Sequence, residues 1–81
     1  MENSRIEVLI SSDSRYEKVT AELYCFGKFV ALLNQDEGVD DITIEFPGAN
    51  LDENMVLRNL DLATFEECLM LAKQRLVGLQ R

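Results

Sequence analysis

The chain has 81 residues and a net charge of −7, from 15 Asp and Glu against 8 Lys and Arg, and it contains no His. A chain of this length forms one domain, so we predict a single unit over residues 1–81. His is the usual acid or base near neutral pH, and the sequence also lacks a glycine-rich phosphate loop and cysteines at metal-ligand spacing. These features argue against an enzyme and against a metal or cofactor. The negative charge favours a basic protein partner, and the scattered basic residues argue against nucleic-acid binding.

The chain carries no signal for export or for membrane insertion. Its first residues lack the basic start and apolar run of a signal peptide, and no apolar stretch reaches the ~18 residues of a membrane span. We therefore expect a cytoplasmic protein without membrane contact. Cys25 and Cys68 are the two cysteines and lie in apolar patterns. The expected compartment favours free buried thiols, although a disulfide stays possible.

Alternating apolar and polar residues predict strands over the first two thirds of the chain. A tight turn at Gly27 and Lys28 is expected to return the second strand into the third, where Phe29, Ala31 and Leu33 are placed on one face. Pro47 ends the fourth strand, because proline cannot donate to a strand ladder. The predicted strands are 5–11, 19–25, 29–35 and 42–46, with a less regular fifth over 55–60.

The last element is predicted to be a helix over residues 62–77. Asp61 is expected to cap its N-terminus, and Gly78 is expected to end it in a left-handed conformation. Apolar residues at three-four spacing form the predicted buried stripe: Leu62, Phe65, Leu69, Ala72, Leu76 and Leu79. The predicted fold is α+β, an antiparallel meander of four to five strands with one C-terminal helix packed across one face.

This arrangement leaves the second sheet face without cover, and that face is the first candidate for partner binding. Tyr24 is a candidate aromatic anchor on it, with Phe26 at its rim. The alternatives are scattered exposed apolar groups of no special role and a homodimer through this face. The other residues predicted on this face are Leu9, Thr20, Glu22, Val30 and Leu32.

A second candidate is the acidic loop after the third strand. Asp36, Glu37, Asp40 and Asp41 surround Gly38, and such a density of carboxylates can steer a basic partner into place. Asp52 and Glu53 form a smaller acidic pair on the next loop. The spacing does not fit a calcium-binding EF-hand loop. The alternative is a solvated turn that keeps the protein in solution.

Several stretches taken together resemble one protein family. They are VLISSD (8–13), YE (16–17), TAELY (20–24), GKFVALLNQ (27–35), EG (37–38), IEFP (44–47) and DLATF (61–65). The chain is similar to small bacterial immunity proteins that neutralise polymorphic or contact-dependent-inhibition toxins, most of all to the immunity protein 10 family. The resemblance implies a non-enzymatic antidote that binds the C-terminal domain of a cognate toxin, often a nuclease with a basic cleft. The alternative interpretation is an acidic adaptor or regulatory domain that self-associates through its open sheet face.

Overall fold

A computed structural model describes residues 5–12, 14–38 and 40–78 of the chain. Within these ranges the elements are β1 Ile6–Ser11, β2 Thr20–Cys25, β3 Lys28–Asn34, β4 Thr43–Glu45 and α1 Leu62–Gly78. The four strands are antiparallel and form a sheet in the order β1-β2-β3-β4, which is a meander. The helix α1 follows the sheet and packs mainly against β1 and β2. The predicted α+β fold is therefore confirmed.

The β2–β3 hairpin turns at Phe26 and Gly27, one residue earlier than predicted. Cys25 pairs with Lys28, so two residues make the turn, and their φ angles are 54° and 79°. Two consecutive positive φ angles are typical of a type I′ turn, whose twist matches that of the flanking strands. Glycine adopts this conformation freely, whereas Phe26 does so at a steric cost.

A β-bulge after this turn overturns the predicted register of β3. Leu23 pairs with Ala31 but Tyr24 pairs with Phe29, so Val30 is the extra residue. Phe29 consequently joins Tyr24 on the face away from the helix, and Val30 joins the buried core beneath the helix. The predictions that Phe29 shares a face with Ala31 and that Val30 lies on the open face are both wrong.

The buried side of α1 agrees with the predicted stripe at Ala72 and Leu76 but differs from it in the first half of the helix. Leu62 is 67 % exposed, and Phe65 and Leu69 are only partly buried against the core. Leu79, the last residue of the predicted stripe, lies outside the described residues. The fully or nearly fully buried helix residues are Thr64, Cys68, Ala72 and Leu76.

The predicted cap is found at the N-terminus of α1 but not at its C-terminus. The Asp61 carboxylate accepts hydrogen bonds from the Thr64 N–H (3.0 Å) and the Thr64 hydroxyl (2.8 Å), so Asp61 is the N-cap as predicted. Gly78 is the last helical residue, and its φ angle is not positive, so it is not the predicted left-handed cap.

The predicted fifth strand is reduced to one point of pairing with β3. The N–H of Phe29 donates to Met55 O and the N–H of Leu57 donates to Phe29 O, each at 2.9 Å, which makes a single parallel bridge between Phe29 and Val56. This bridge ties the segment after β4 to the hairpin end of β3.

The face of the sheet opposite α1 is partly covered by the β1–β2 connection. The Tyr16 hydroxyl donates to Glu45 Oε1 on β4 at 2.7 Å, so the connection crosses over β3. Beneath it Leu32 and Asn34 are buried, and Thr20 is fully buried. The expectation that this chain leaves the whole face uncovered is therefore wrong; the uncovered part is the hairpin end.

Candidate partner-binding surface

The uncovered part of the second sheet face carries a mixed aromatic and acidic cluster. Strand pairing places Glu7 beside Tyr24 and Leu9 beside Glu22, and the bulge adds Phe29 next to Tyr24. Residues of the β2–β3 turn lie at the same end of the sheet, where Phe26 and Gly27 line one shallow groove together with Glu7 and Arg5. We call this group the open-face cluster; its members are Glu7, Leu9, Glu22, Tyr24, Phe26 and Phe29.

Tyr24 lies at the centre of the open-face cluster and is half-buried. Its ring meets that of Phe29 edge-on, with 5.7 Å between centroids, and its hydroxyl donates to Glu22 Oε1 at 2.8 Å. Burial, followed by the hydrogen bond to Glu22 and the negative charges of Glu22 and Glu7, raises the pKa of Tyr24 to about 12. The hydroxyl is therefore protonated at neutral pH.

Phe26 is the most exposed aromatic residue of the open-face cluster. Its side chain is 58 % exposed, and its backbone is in the left-handed region. Asn, Asp and Gly are the usual residues at this position of a type I′ turn, because they tolerate positive φ. Phe26 thus combines an unfavourable backbone conformation with little burial inside its own chain.

The four carboxylates of the acidic loop have different surroundings. Asp36 is half-buried, and its carboxylate accepts hydrogen bonds from the N–H groups of Glu17 (3.3 Å) and Lys18 (3.0 Å). These bonds hold the β1–β2 connection in place. Glu37, Asp40 and Asp41 are exposed and project the remaining charge toward solvent.

The smaller acidic pair is also engaged within the chain. Arg58 donates to both carboxylate oxygens of Glu53, at 3.0 and 2.7 Å, and to the carbonyl oxygens of Pro47 and Gly48. The hydrogen bonds and charge of Arg58 lower the pKa of Glu53. Asp52 accepts a hydrogen bond from the Asn54 N–H at 2.9 Å. Both residues are exposed, but their first role is to fold the loop after β4.

Tyr24 and the acidic loop lie at opposite ends of the sheet. Tyr24 is opposite Phe29 at the hairpin end of β3, and the acidic loop follows Asn34 at the other end. Five residues of strand separate those ends, a distance of about 16 Å. The two candidate regions are therefore separate, and a partner that touches both Tyr24 and the acidic loop must span the sheet.

Two members of the open-face cluster, Glu7 and Phe29, are not predicted from the sequence. No sequence pattern links Glu7 to Tyr24, because their contact follows from the register of β1 and β2. The prediction groups Phe29 with Ala31 and Leu33, but residues 29–33 are all apolar, so alternation does not identify their faces. The face of Phe29 is decided by the β-bulge beside the two-residue turn, which the sequence pattern does not indicate.

The described residues contain no group of three or more side chains suited to hold a metal ion. Within the same ranges, no helix has the length and apolar character required to cross a membrane. Comparison of the chain with protein-family models, with curated proteins and with solved structures finds no match.

Proposed function

We propose that this chain is an immunity protein, which binds one copy of a basic toxin domain and blocks its active site or its substrate surface. The open-face cluster is the contact surface in this proposal. The exposed carboxylates of the acidic loop guide the partner toward it. The proposal rests on the sequence resemblance, on the net charge of −7 and on the character of the open-face cluster.

The strongest support comes from the backbone conformation and the exposure of Phe26. A side chain that keeps a left-handed backbone conformation while 58 % exposed gains little from its own fold. Strained residues concentrate at functional sites, and exposed aromatic rings are frequent anchors of protein interfaces. In this proposal, the exposed ring and the left-handed backbone of Phe26 are explained by a contact with the toxin domain.

The chemistry around Phe26 favours a basic partner. Glu7 and Glu22 flank the Tyr24–Phe29 ring pair on neighbouring positions of β1 and β2. Carboxylates beside aromatic rings suit Lys and Arg side chains, since the rings attract cations and the carboxylates accept their hydrogen bonds. Nuclease clefts are rich in such side chains because they bind phosphates.

The same charges disfavour the alternative of a self-associating adaptor. A homodimer through the open-face cluster brings Glu7 and Glu22 of one copy close to those of the other. Like charges at an interface oppose association, and the whole chain carries −7. Sedimentation of the isolated protein separates the two ideas, since the adaptor requires a dimer and the immunity protein does not.

The test uses the C-terminal domain of a secreted effector encoded beside the gene of this chain. Calorimetric titration should give one-to-one binding, and inhibition of the toxin should be complete near equimolar amounts. Phe26→Ala and Tyr24→Ala should weaken binding at least tenfold, whereas Leu71→Ala, on the exposed side of the helix, should not. Absence of binding, or full protection at a small fraction of one equivalent, would refute the proposal.

A further inference from the structure

Two thiols face each other across the interface between the sheet and the helix. Cys25 ends β2 and Cys68 lies in the second turn of α1, and their Sγ atoms are 3.9 Å apart. Neither side chain has any exposed surface, and neither is in a disulfide. The proposed function makes no use of them, because they lie on the helix side of the sheet.

We propose that Cys25 and Cys68 form a redox modification site, at which a low-molecular-weight disulfide such as oxidised glutathione converts the two thiols into a bond between β2 and α1. The site is already assembled in the reduced protein. A disulfide has an S–S distance of about 2.05 Å, so the two sulfurs must approach by about 1.9 Å. Rotation about the Cα–Cβ bonds of the two facing side chains is the movement that shortens this distance.

The packing at this interface leaves the two sulfurs in direct contact. The buried side of α1 is built from small residues, Thr64, Cys68 and Ala72, before Leu76. On the sheet, Ala21 and Ala31 are also fully buried in the same core. The contact between Cys25 and Cys68 therefore lies in a core to which both elements contribute small side chains.

The chemistry needs two exchange steps. In the first, the Cys25 thiolate attacks one sulfur of oxidised glutathione, the S–S bond of glutathione breaks, and one glutathione thiolate leaves. In the second, the Cys68 thiolate attacks the Cys25 sulfur and the second glutathione thiolate leaves. The protein thiols lose two electrons and two protons, and oxidised glutathione gains them to become two molecules of glutathione.

Burial disfavours the thiolate form of both cysteines while α1 is packed on the sheet. It raises the pKa of both thiols, that of Cys68 to about 12, and the hydrogen bond with Cys68 and the charge of Arg5 oppose the rise at Cys25. Both sulfurs are shielded by the fold, so glutathione reaches Cys25 only when α1 separates from the sheet. The rate of oxidation should therefore follow this opening and increase in urea below the unfolding transition.

The bond would join residues that are 43 positions apart in the chain. Closing a loop of that length restricts the unfolded chain strongly, so the oxidised protein should be more stable than the reduced one. For a domain of this size, we expect the melting temperature to increase by about 10 °C or more.

The experiment starts from the fully reduced chain, incubated with oxidised glutathione with and without urea below the transition. After denaturation and alkylation with iodoacetamide, mass spectrometry should find a monomer that has lost two hydrogen atoms and takes up no alkyl group. Cys68→Ala should instead keep a single Cys25, alkylated or joined to glutathione, and Cys25→Ala should behave in the same way with Cys68.

Three outcomes would overturn the proposal. The first is that both thiols of the parent chain stay open to alkylation after both incubations. The second is that oxidation yields disulfide-linked dimers in place of the internal bond. The third is that the oxidised monomer melts no higher than the reduced one, which would mean that the bond distorts the packing of α1 on the sheet. None of these outcomes depends on the toxin, so the result is separate from that for the proposed function.

Discussion

Arg75 on the helix donates a hydrogen bond from Nη1 to the backbone carbonyl oxygen of Val8 on β1, at 2.8 Å. β1 is an edge strand of the sheet. The carbonyl oxygen of Arg5 accepts from the Phe26 N–H, so it faces β2, and by alternation the carbonyl of Val8 faces away from the sheet. Arg75 therefore satisfies a backbone group on the open edge of β1, where another strand could otherwise pair.

We expect Arg75→Met to destabilise the fold by about 0.5–1.5 kcal/mol, the net value of one hydrogen bond of this kind. Met keeps most of the length of the Arg side chain, so the loss reports the guanidinium group. Urea denaturation gives the measurement. Lys73→Met removes the same charge two residues away, from an exposed position, and should change stability much less. Equal losses in the two variants would mean that net charge, rather than the bond to Val8, is responsible.

The centre of the core gives a second prediction. Leu76 has no exposed surface, whereas Leu71 on the same helix is 36 % exposed. Leu76→Ala should cost about 2–5 kcal/mol, which is a large part of the stability of so small a domain. Leu71→Ala should cost less than about 1 kcal/mol. Thermal or urea denaturation of both variants tests the pair, and a Leu76→Ala protein as stable as the parent would contradict the packing described for α1.

The helix shows which features apolar spacing predicts and which it does not. The spacing located the helix and its N-cap correctly, but it placed Leu62 and Leu69 in the buried stripe. The buried positions instead include Thr64 and Cys68, which a count of large apolar residues passes over. The side of a helix that is buried depends on how the helix packs on the sheet, and that packing is a tertiary property that the sequence pattern does not contain.

At the start of β3, the sequence pattern likewise does not determine which residues are buried. Alternation predicted the meander and the faces of β1 and β2, since their apolar residues occupy every second position. In β3 residues 29–33 are all apolar, so each register buries a similar amount of apolar surface. The turn at Phe26 and Gly27 and the bulge at Val30 decide the register, and both are local backbone conformations.

Phe26 provides a prediction in which stability and binding change in opposite directions. Phe26→Asn places a residue that favours the left-handed conformation at the first turn position, and should stabilise the fold by about 0.5–1 kcal/mol. Phe26→Ala keeps the strained position and should leave stability nearly unchanged. Both variants should bind the toxin domain at least tenfold more weakly, because both lose the ring. Parent affinity in Phe26→Asn would remove Phe26 from the binding surface.

The N-cap makes stability depend on pH. Hydrogen bonds from the Thr64 hydroxyl and Thr64 N–H lower the pKa of Asp61. A carboxyl whose pKa is lower in the folded state stabilises the fold above its unfolded pKa of about 3.9, and that contribution is lost as pH decreases through the folded value. Asp61→Ala should thus be less stable than the parent at pH 7, and the difference should shrink below about pH 4. Urea midpoints from pH 7 to pH 2 test this, with Glu66→Gln as a charge-matched control whose difference from the parent should be small throughout.

The candidate site was only partly accessible to sequence reasoning. A density of carboxylates identified the acidic loop, but composition does not separate a structural carboxylate from a free one. Asp36 holds the backbone of Glu17 and Lys18, and Glu53 holds Arg58. The Asp36 contacts join two different loops and therefore exist only after the sheet has formed, whereas Glu53 and Arg58 lie five residues apart in one loop. The exposed charges that are left for a partner are those of Glu37, Asp40 and Asp41.

The last prediction assigns these three exposed carboxylates to the rate of association. Steering charges act mainly on the association rate and are screened by salt over about 8–10 Å. The triple variant Glu37→Gln, Asp40→Asn and Asp41→Asn should therefore associate with the toxin domain about 3–10-fold more slowly at low salt, with a weaker salt dependence and an unchanged dissociation rate. Because Asp36 is kept, the β1–β2 connection should stay in place and the fold should survive.

Stopped-flow mixing at low and high salt measures this, and the control must remove the same charge from another surface. Replacing Asp52 by Asn and Glu66 and Glu67 by Gln also removes three negative charges, from the loop after β4 and from α1, at the loss of the exposed ion pair between Glu67 and Arg5. If steering comes from the loop, this control associates nearly as fast as the parent. If the two triples slow association equally, only the net charge matters. If the loop variant associates at the parent rate at low salt, the acidic loop is a solvated turn and the open-face cluster acts without it.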